Sequence, residues 1–217
     1  MTVAKWMRED YIGDTVAIAE SLVGKYLVRK IADHLLVCRI TETEAYVGAV
    51  DKACHAYGYH KTRRNATMFG PPGHAYLYLI YGMHTCLNFV TNAEGEPDAV
   101  LLRGLEAIHG GEVISRLRYA KSFTELSAYQ RKNFLNGPGK CCKALSLDTS
   151  YDSLDLTGDE LFICTSLADV DLPEAPPLPF RVARGKRIGI DYAEEAVDFL
   201  WRFTLIPLCK ENDYADF

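Results

Sequence analysis

The sequence predicts a single α/β domain of the mixed (α+β) kind, and three observations carry that prediction. A chain of 217 residues with 48% hydrophobic content can bury one substantial core and has the usual size of one domain. Short runs rich in β-branched and aromatic residues, parted by Gly, Pro and Asn, recur along it as strands do. Other stretches carry apolar residues at helical spacing. There is no internal repeat. The proline segment 172–179 is short, and Trp201 and Phe203 lie beyond it, so it reads as a loop within one domain covering 1–217.

The elements follow in order. Asp14 can cap a helix whose Val16, Ala19, Leu22 and Val23 recur at helical spacing, with Gly24 as its stop. Strands are expected over 25–31 and 35–47. The second is long enough that a bulge is expected. Were it regular, Cys38, Ile40, Glu42, Glu44 and Tyr46 would share one face. Residues 55–67 are polar and loop-like, and Gly70-Pro-Pro-Gly73 is a turn. Strands over 75–80 and 85–91 form a hairpin pattern joined by Tyr81-Gly82-Met83-His84. Residues 92–98 are a polar turn, and 99–103 a short strand. Helical patterns cover 112–118, 124–134 and 139–147. Strands near 188–190 and 200–207 close the chain.

Composition narrows the function. No window approaches the roughly 18 apolar residues of a membrane span, and residues 1–14 lack the apolar core of a secretory signal. The seven cysteines form no Cys-x-x-Cys pair and no zinc-finger spacing, so they read as reduced thiols of a cytoplasmic protein. A net charge of -5 by itself argues against a nucleic-acid partner. Its distribution argues the other way. Residues 51–148 carry twelve basic and eight acidic side chains, whereas 149–217 carry six and fourteen. From Lys52 to Ala93 there is no acid at all. That stretch holds Lys52, Lys61, Arg63 and Arg64, seven aromatic residues and four of the six histidines. It suits an anionic partner with flat rings, or equally a Tyr-rich strand pair in an ordinary core.

Four constellations could carry chemistry. Glu44 shares its expected strand face with apolar and aromatic residues. A carboxylate with little water can act as a general base, although a lone strand glutamate more often points to solvent. His55, His60, His74 and His84, with Cys54 and Cys86, lack the i, i+4 spacing of a helical zinc site, and stacking or structural roles suit them better. Tyr76 and Tyr78 alternate with Leu77 and Leu79, as stacking residues or as half-buried core. Tyr81, at the hairpin tip, is harder to place in a core and suits a wedge in a base stack. Asn88 on the return strand could read the edge of a base. Gly137-Pro-Gly-Lys140 is not a Walker loop; as a helix start, with Lys140, it could hold a phosphate. The basic run Arg181-Val-Ala-Arg-Gly-Lys-Arg187 reads as a phosphate grip or, slightly better, a solvated loop.

Together these blocks resemble the alkyladenine (3-methyladenine) DNA glycosylase family. The resemblance rests on Glu42-Thr-Glu-Ala-Tyr46, His55, Thr62-Arg-Arg-Asn65, Met68-Phe69, Tyr76-Leu-Tyr-Leu-Ile-Tyr-Gly-Met83, Asn88, Leu101-Leu-Arg103 and Asn136-Gly-Pro-Gly-Lys140. Arg187-Ile-Gly-Ile190 and Trp201-Arg-Phe203 extend it toward the C-terminus. It implies a curved, mainly antiparallel sheet flanked by helices, with a hairpin that enters the DNA minor groove. It also implies that Glu44 activates water, and that Arg103 positions the water and the carboxylate. Tyr46, His55 and Tyr78 would enclose a flipped base, and Asn88 would reject normal guanine. Tyr81 would fill the hole in the duplex. Arg64, Asn65 and Met83 would lie near the DNA, and Lys140 would contact a phosphate.

The expected partner is damaged double-stranded DNA, met by a monomer that needs no metal or cofactor. The expected place is the cytoplasm, at the nucleoid if the chain is bacterial, or the nucleus if it is eukaryotic. The expected reaction is monofunctional base excision of 3-methyladenine, 7-methylguanine or hypoxanthine, leaving an abasic site. No lysine stands at an obvious nucleophile position. The chain departs from vertebrate members at His60, where Arg is usual, and at His84, where Tyr is usual. Two extra residues also separate Asn88 from Arg103. These departures bear on DNA grip and substrate range. Two other readings share some of these features. A non-catalytic binder of distorted DNA would have no need of Glu44. A hydrolase of free nucleosides would need neither Tyr81 nor salt-sensitive binding.

Overall fold

The computed structural model describes residues 5–175 and 178–208. Residues 1–4, Pro176 and Pro177 of the proline segment, and 209–217, which include Cys209, lie outside the described residues. The other six cysteines are buried free thiols.

The first helix forms where its cap predicts. The Asp14 carboxylate accepts from the N–H groups of Val16 and Ala17 at 2.8 and 3.4 Å, and α1 runs Thr15–Leu22. Its Ile18, Ala19 and Leu22 are buried against the sheet. Eight strands follow, all paired antiparallel: β1 Tyr26–Ile31, β2 His34–Tyr46, β3 Ala75–Ile80, β4 His84–Thr91, β5 Asp98–His109, β6 Leu161–Cys164, β7 Phe180–Gly185 and β8 Arg202–Pro207. Their order is β3-β4-β5-β2-β1-β6. β2 lies at the centre of this curled sheet. One edge pairs with β5 throughout; the other pairs with β1 up to Arg39 and with β8 over Glu42–Glu44, and β7 lies outside β8. Among the described residues three further α-helices form, α2 Gly111–Tyr119, α3 Ala128–Lys132 and α4 Pro138–Ala144. The main core lies between α1, α2, α4 and one sheet face.

Four expectations need correction. The strand expected over 99–103 extends to His109, because β2 is long enough to pair with all of it. The helix expected over 124–134 is broken. Ser127 caps a fresh start, accepting from the Gln130 N–H at 3.2 Å while Gln130 accepts from the Ser127 N–H at 2.9 Å. A capping side chain of this kind competes with helix continuation. No strand forms over 188–190. Gly189 turns to positive φ, and the Ile188 N–H leaves the sheet for a side chain described below. The basic run 181–187 is chiefly the edge strand β7. Of its four cations, Arg184 pairs with Glu20, Lys186 with Asp198 and Arg187 with Asp51.

The expected bulge exists, and it is double. Ile40 opposes Leu105, Glu42 opposes Gly104 and Thr43 opposes Leu102, so Thr41 on β2 and Arg103 on β5 are each skipped. Side-chain parity switches there. Before the slip Leu36, Cys38 and Ile40 enter the main core; after it Ala45 does, and the Thr43 hydroxyl donates to the Ala19 carbonyl of α1 at 2.7 Å. Glu42, Glu44 and Tyr46 are thereby turned away from the face of Cys38 and Ile40, contrary to the regular-strand expectation.

Gly104 keeps this junction close. A Cβ there would lie 2.8 Å from Thr41 Oγ1 and 3.0 Å from Glu42 Cβ. Gly104→Ala should therefore cost about 1–3 kcal/mol by overpacking. Chemical denaturation checks this, and an unchanged midpoint would contradict it.

Candidate active site

Residues paired across an antiparallel sheet share a face, at about 4.8 Å per strand. On the face opposite the main core, one row reads Tyr76, Asn88, Leu101, Glu44 and Arg202 across β3, β4, β5, β2 and β8. The next row reads Val90, Ala99 and Tyr46. The sheet thus brings a carboxylate, an amide and aromatic rings onto one surface.

Glu44 is fully buried. Its Oε2 accepts from the Tyr46 hydroxyl at 2.8 Å. Its Oε1 accepts from the Ile188 N–H at 2.8 Å and lies 3.4 Å from Arg103 Nε. Burial raises its pKa above the ordinary glutamate value, and Glu42 adds to the rise; Arg103, Tyr46 and the Ile188 N–H oppose it. Burial and the Glu44 charge hold the Tyr46 hydroxyl well above its usual pKa, so Tyr46 remains a donor. Arg103 Nε also donates to Glu42 Oε1 at 3.2 Å, and Arg202 reaches the same oxygen at 3.1 Å. Glu42 thus sits between two guanidinium groups, beside Glu44 rather than across the sheet from it.

Next to Glu44 is a small pocket lined by Tyr46, Ala53, Cys54, His55, Met68, Tyr76, Tyr78, Asn88 and Ala99. His55 Nδ1 is 3.0 Å from the Tyr76 hydroxyl, and its ring meets Tyr78 edge-on at 4.6 Å. Burial and nearby Arg64 lower the His55 pKa, which favours a neutral ring. Asn88 is buried and donates to the Tyr76 carbonyl at 3.2 Å. Asn65 is buried too, but it closes its own loop: its amide donates to the carbonyls of His55 at 2.8 Å and His60 at 2.9 Å and accepts from the Thr62 N–H at 2.6 Å. Arg64 lies over the Tyr78 ring at 5.3 Å and donates to the Leu79 carbonyl at 2.8 Å.

The β3–β4 hairpin carries Tyr81 and Met83 at its tip, 82% and 72% exposed. Tyr81 and Gly82 have φ of +52° and +68°, the primed-turn geometry that favours Asn-Gly. A tyrosine held there is strained. Lys140 is away from the pocket. It sits in a groove between the hairpin and α4 with Tyr81, His84, Arg118 and Lys143, and its Nζ donates to Asn136 at 2.7 Å and Asn133 at 3.0 Å.

Tyr46, His55, Tyr78, Asn88, Glu44 and Arg103 therefore converge from separate parts of the sequence. Sequence reading missed Asp51, Arg202 and the Ile188 N–H, and gave Arg187 no place in the site. Arg187 is buried against Asp51 and lies over the Tyr46 ring at 4.7 Å. The available signal was Arg187-Ile-Gly-Ile190, but Asp51 lies 136 residues away. Among the described residues no group of three His, Cys, Asp or Glu could hold a metal ion, and no helix is long and apolar enough to cross a membrane.

An aromatic slot, a desolvated carboxylate beside it and a projecting ring form a candidate site that could receive a planar group. Comparison with known proteins identifies the class. Residues 9–207 match the family model described as methylpurine-DNA glycosylase. A Clostridium perfringens (strain 13 / Type A) protein named "Putative 3-methyladenine DNA glycosylase" is 47% identical over 210 residues, covering 96% of this chain and 97% of its own. One of the same name from Clostridioides difficile (strain 630) is 48% identical over 191 residues, covering 88% and 95%. The chain belongs to the methylpurine-DNA glycosylase family: it is a hydrolase of N-glycosyl bonds whose partner is DNA.

The Tyr46 hydrogen bond favours the Glu44 carboxylate over its protonated form. Tyr46→Phe removes that bond, so the Glu44 pKa should rise further. If Glu44 must be ionised, the acid side of the excision-rate profile moves to higher pH, which single-turnover rates across pH would show.

Proposed function

We propose that this enzyme flips alkylated or deaminated purines out of duplex DNA and hydrolyses their N-glycosidic bond with water activated by Glu44. The observation that carries the reading is a buried carboxylate of raised pKa in the sheet row that also holds Asn88 and Tyr76 of the pocket. The sugar carbon is inaccessible inside a stacked duplex, so the nucleotide must leave it. Tyr81, on the hairpin tip, enters the minor groove and fills the gap. Met83 beside it, and Arg64 near the pocket, lie against the DNA, and Lys140 meets a backbone phosphate. Asn65 acts through the loop that carries His55.

A purine alkylated at N3 or N7 is cationic. Tyr46 and Tyr78 offer it electron-rich faces, each worth about 0.5–2 kcal/mol when desolvated. A neutral His55 adds a wall without repelling the charge. Asn88, its amide fixed on the Tyr76 carbonyl, crowds the exocyclic amine of normal guanine. Glu44 takes a proton from water as the bond to the base breaks, and its charge stabilises the cation developing on the sugar. Arg103 orients the carboxylate and the water. The pocket lining contains no lysine, so the product is an abasic site on an uncut strand.

Glu44→Gln should bind lesion-containing duplex normally yet lose about 10²–10⁴-fold in single-turnover excision. Assayed with 3-methyladenine, 7-methylguanine and hypoxanthine in identical duplexes, near-wild-type rates would overturn the role of Glu44. Tyr81→Asn should relieve the strain at positive φ and raise fold stability by about 1 kcal/mol, while slowing excision from duplex DNA. A melting curve and a duplex assay test the two halves, and unchanged excision would remove Tyr81 from the mechanism.

A further inference from the structure

We infer that the buried Asp51–Arg187 ion pair is a positioning device for the catalytic carboxylate, tying Glu44, Tyr46 and the Ile188 N–H into one geometry without touching DNA. The inference rests on the reading of Glu44 as the base. Both side chains are completely buried. The guanidinium forms a two-bond fork on Asp51, with Nη2 to Oδ1 at 2.7 Å and Nη1 to Oδ2. Nη1 also donates to the Ala45 carbonyl at 2.8 Å, and Nη2 to the Ala196 carbonyl at 3.3 Å. Asp51 is itself held by the Ala53 N–H at 3.0 Å.

The connectivity makes this a strut. Ala45 follows Glu44 in the chain, and Ile188 follows Arg187. One bond, Arg187 to the Ala45 carbonyl, therefore lies beside the other, Ile188 N–H to Glu44. Together they bind the segment after β7 to β2 at two adjacent points. The guanidinium also lies over the rings of Tyr46 at 4.7 Å and Trp201 at 5.1 Å, and so packs on the ring that donates to Glu44. Lysine could not reproduce this, since it lacks the planar fork and the stacking face. Stability alone does not account for the pair. Well-packed apolar residues often match or exceed a buried ion pair, and Arg187 Nε is buried here without a partner.

The test uses two charge-conserving variants, Arg187→Lys and Asp51→Glu, in the full chain below each variant's melting temperature. The groups acting on Glu44 are Glu42, Tyr46, Cys86, Arg103 and Arg187, with Arg202 alongside through Glu42. Their charges are retained in both variants, so a shift reports geometry. Each variant should slow single-turnover excision by about 10–100-fold, the scale of a small misplacement. Each should also move the acid-side midpoint to higher pH, as the carboxylate loses the Ile188 N–H, while affinity for undamaged duplex stays unchanged. A lowered melting temperature with an unmoved midpoint and rate in either variant would reduce the pair to a fold element and overturn the inference. The wild type and Glu44→Gln serve as controls. Absence of an acid-side limb that depends on Glu44 would defeat the base assignment itself. A limb that is present but unmoved in the variants would defeat only the role of the pair.

Discussion

Thr41 and Arg103 are left out of the β2–β5 pairing at the middle of β2, and the site depends on their being left out. In a regular strand, side chains keep one face at every second position. Glu44 would then follow Cys38 and Ile40 into the main core. The paired slip reverses parity on both strands at once. It sends Thr43 and Ala45 inward and presents Glu42, Glu44 and Tyr46 to the other face. It also places Arg103 beside the two carboxylates it must neutralise. One local defect therefore supplies both the buried acid and its counter-charge.

A carboxylate taken out of water is costly unless its oxygens find donors. Glu44 receives two, from Tyr46 on its own strand and the Ile188 N–H beyond β7, and a counter-charge from Arg103 on the neighbouring strand. These oppose its protonation, while burial, the larger effect, raises its pKa above the ordinary glutamate value. In the proposed mechanism that raised proton affinity lets the carboxylate accept a proton from water. The aromatic pocket is adjacent because cross-strand registry places it there, and the hairpin that completes its wall ends in a strained, exposed tyrosine. Strain at such a point is tolerated where it presents a side chain that a relaxed turn would not.

The net charge of -5 is compatible with a DNA partner because opposite charges are spent in different places. Several acidic residues of the C-terminal part lie in ion pairs, as with Lys52 to Glu194 and Glu195, and Lys186 to Asp198. Arg118, Lys140 and Lys143 gather instead in the groove beside the hairpin. Local basic character is thus set by pairing rather than by totals.

The sequence by itself determined what depends on neighbours along the chain. Asp14 capped α1, Tyr81-Gly82 turned the hairpin, and Glu44 and Tyr46 were legible two residues apart in one strand. It foresaw a bulge in β2 without its place or its partner on β5, because register is decided between strands. The tertiary structure alone decided the rest. Arg181–Arg187 resembled a solvated basic loop because an edge strand with one neighbour carries charges on its open side. Ile188–Ile190 resembled a strand, but Gly189 takes positive φ and the Ile188 N–H is given to Glu44. Asp51 and Arg187 could not be recognised as a pair, since nothing local marks an acid and a base 136 residues apart as sharing a wall. Caps and turns are short-range choices of backbone and side chain. Burial, counter-charge and register exist only once distant segments meet.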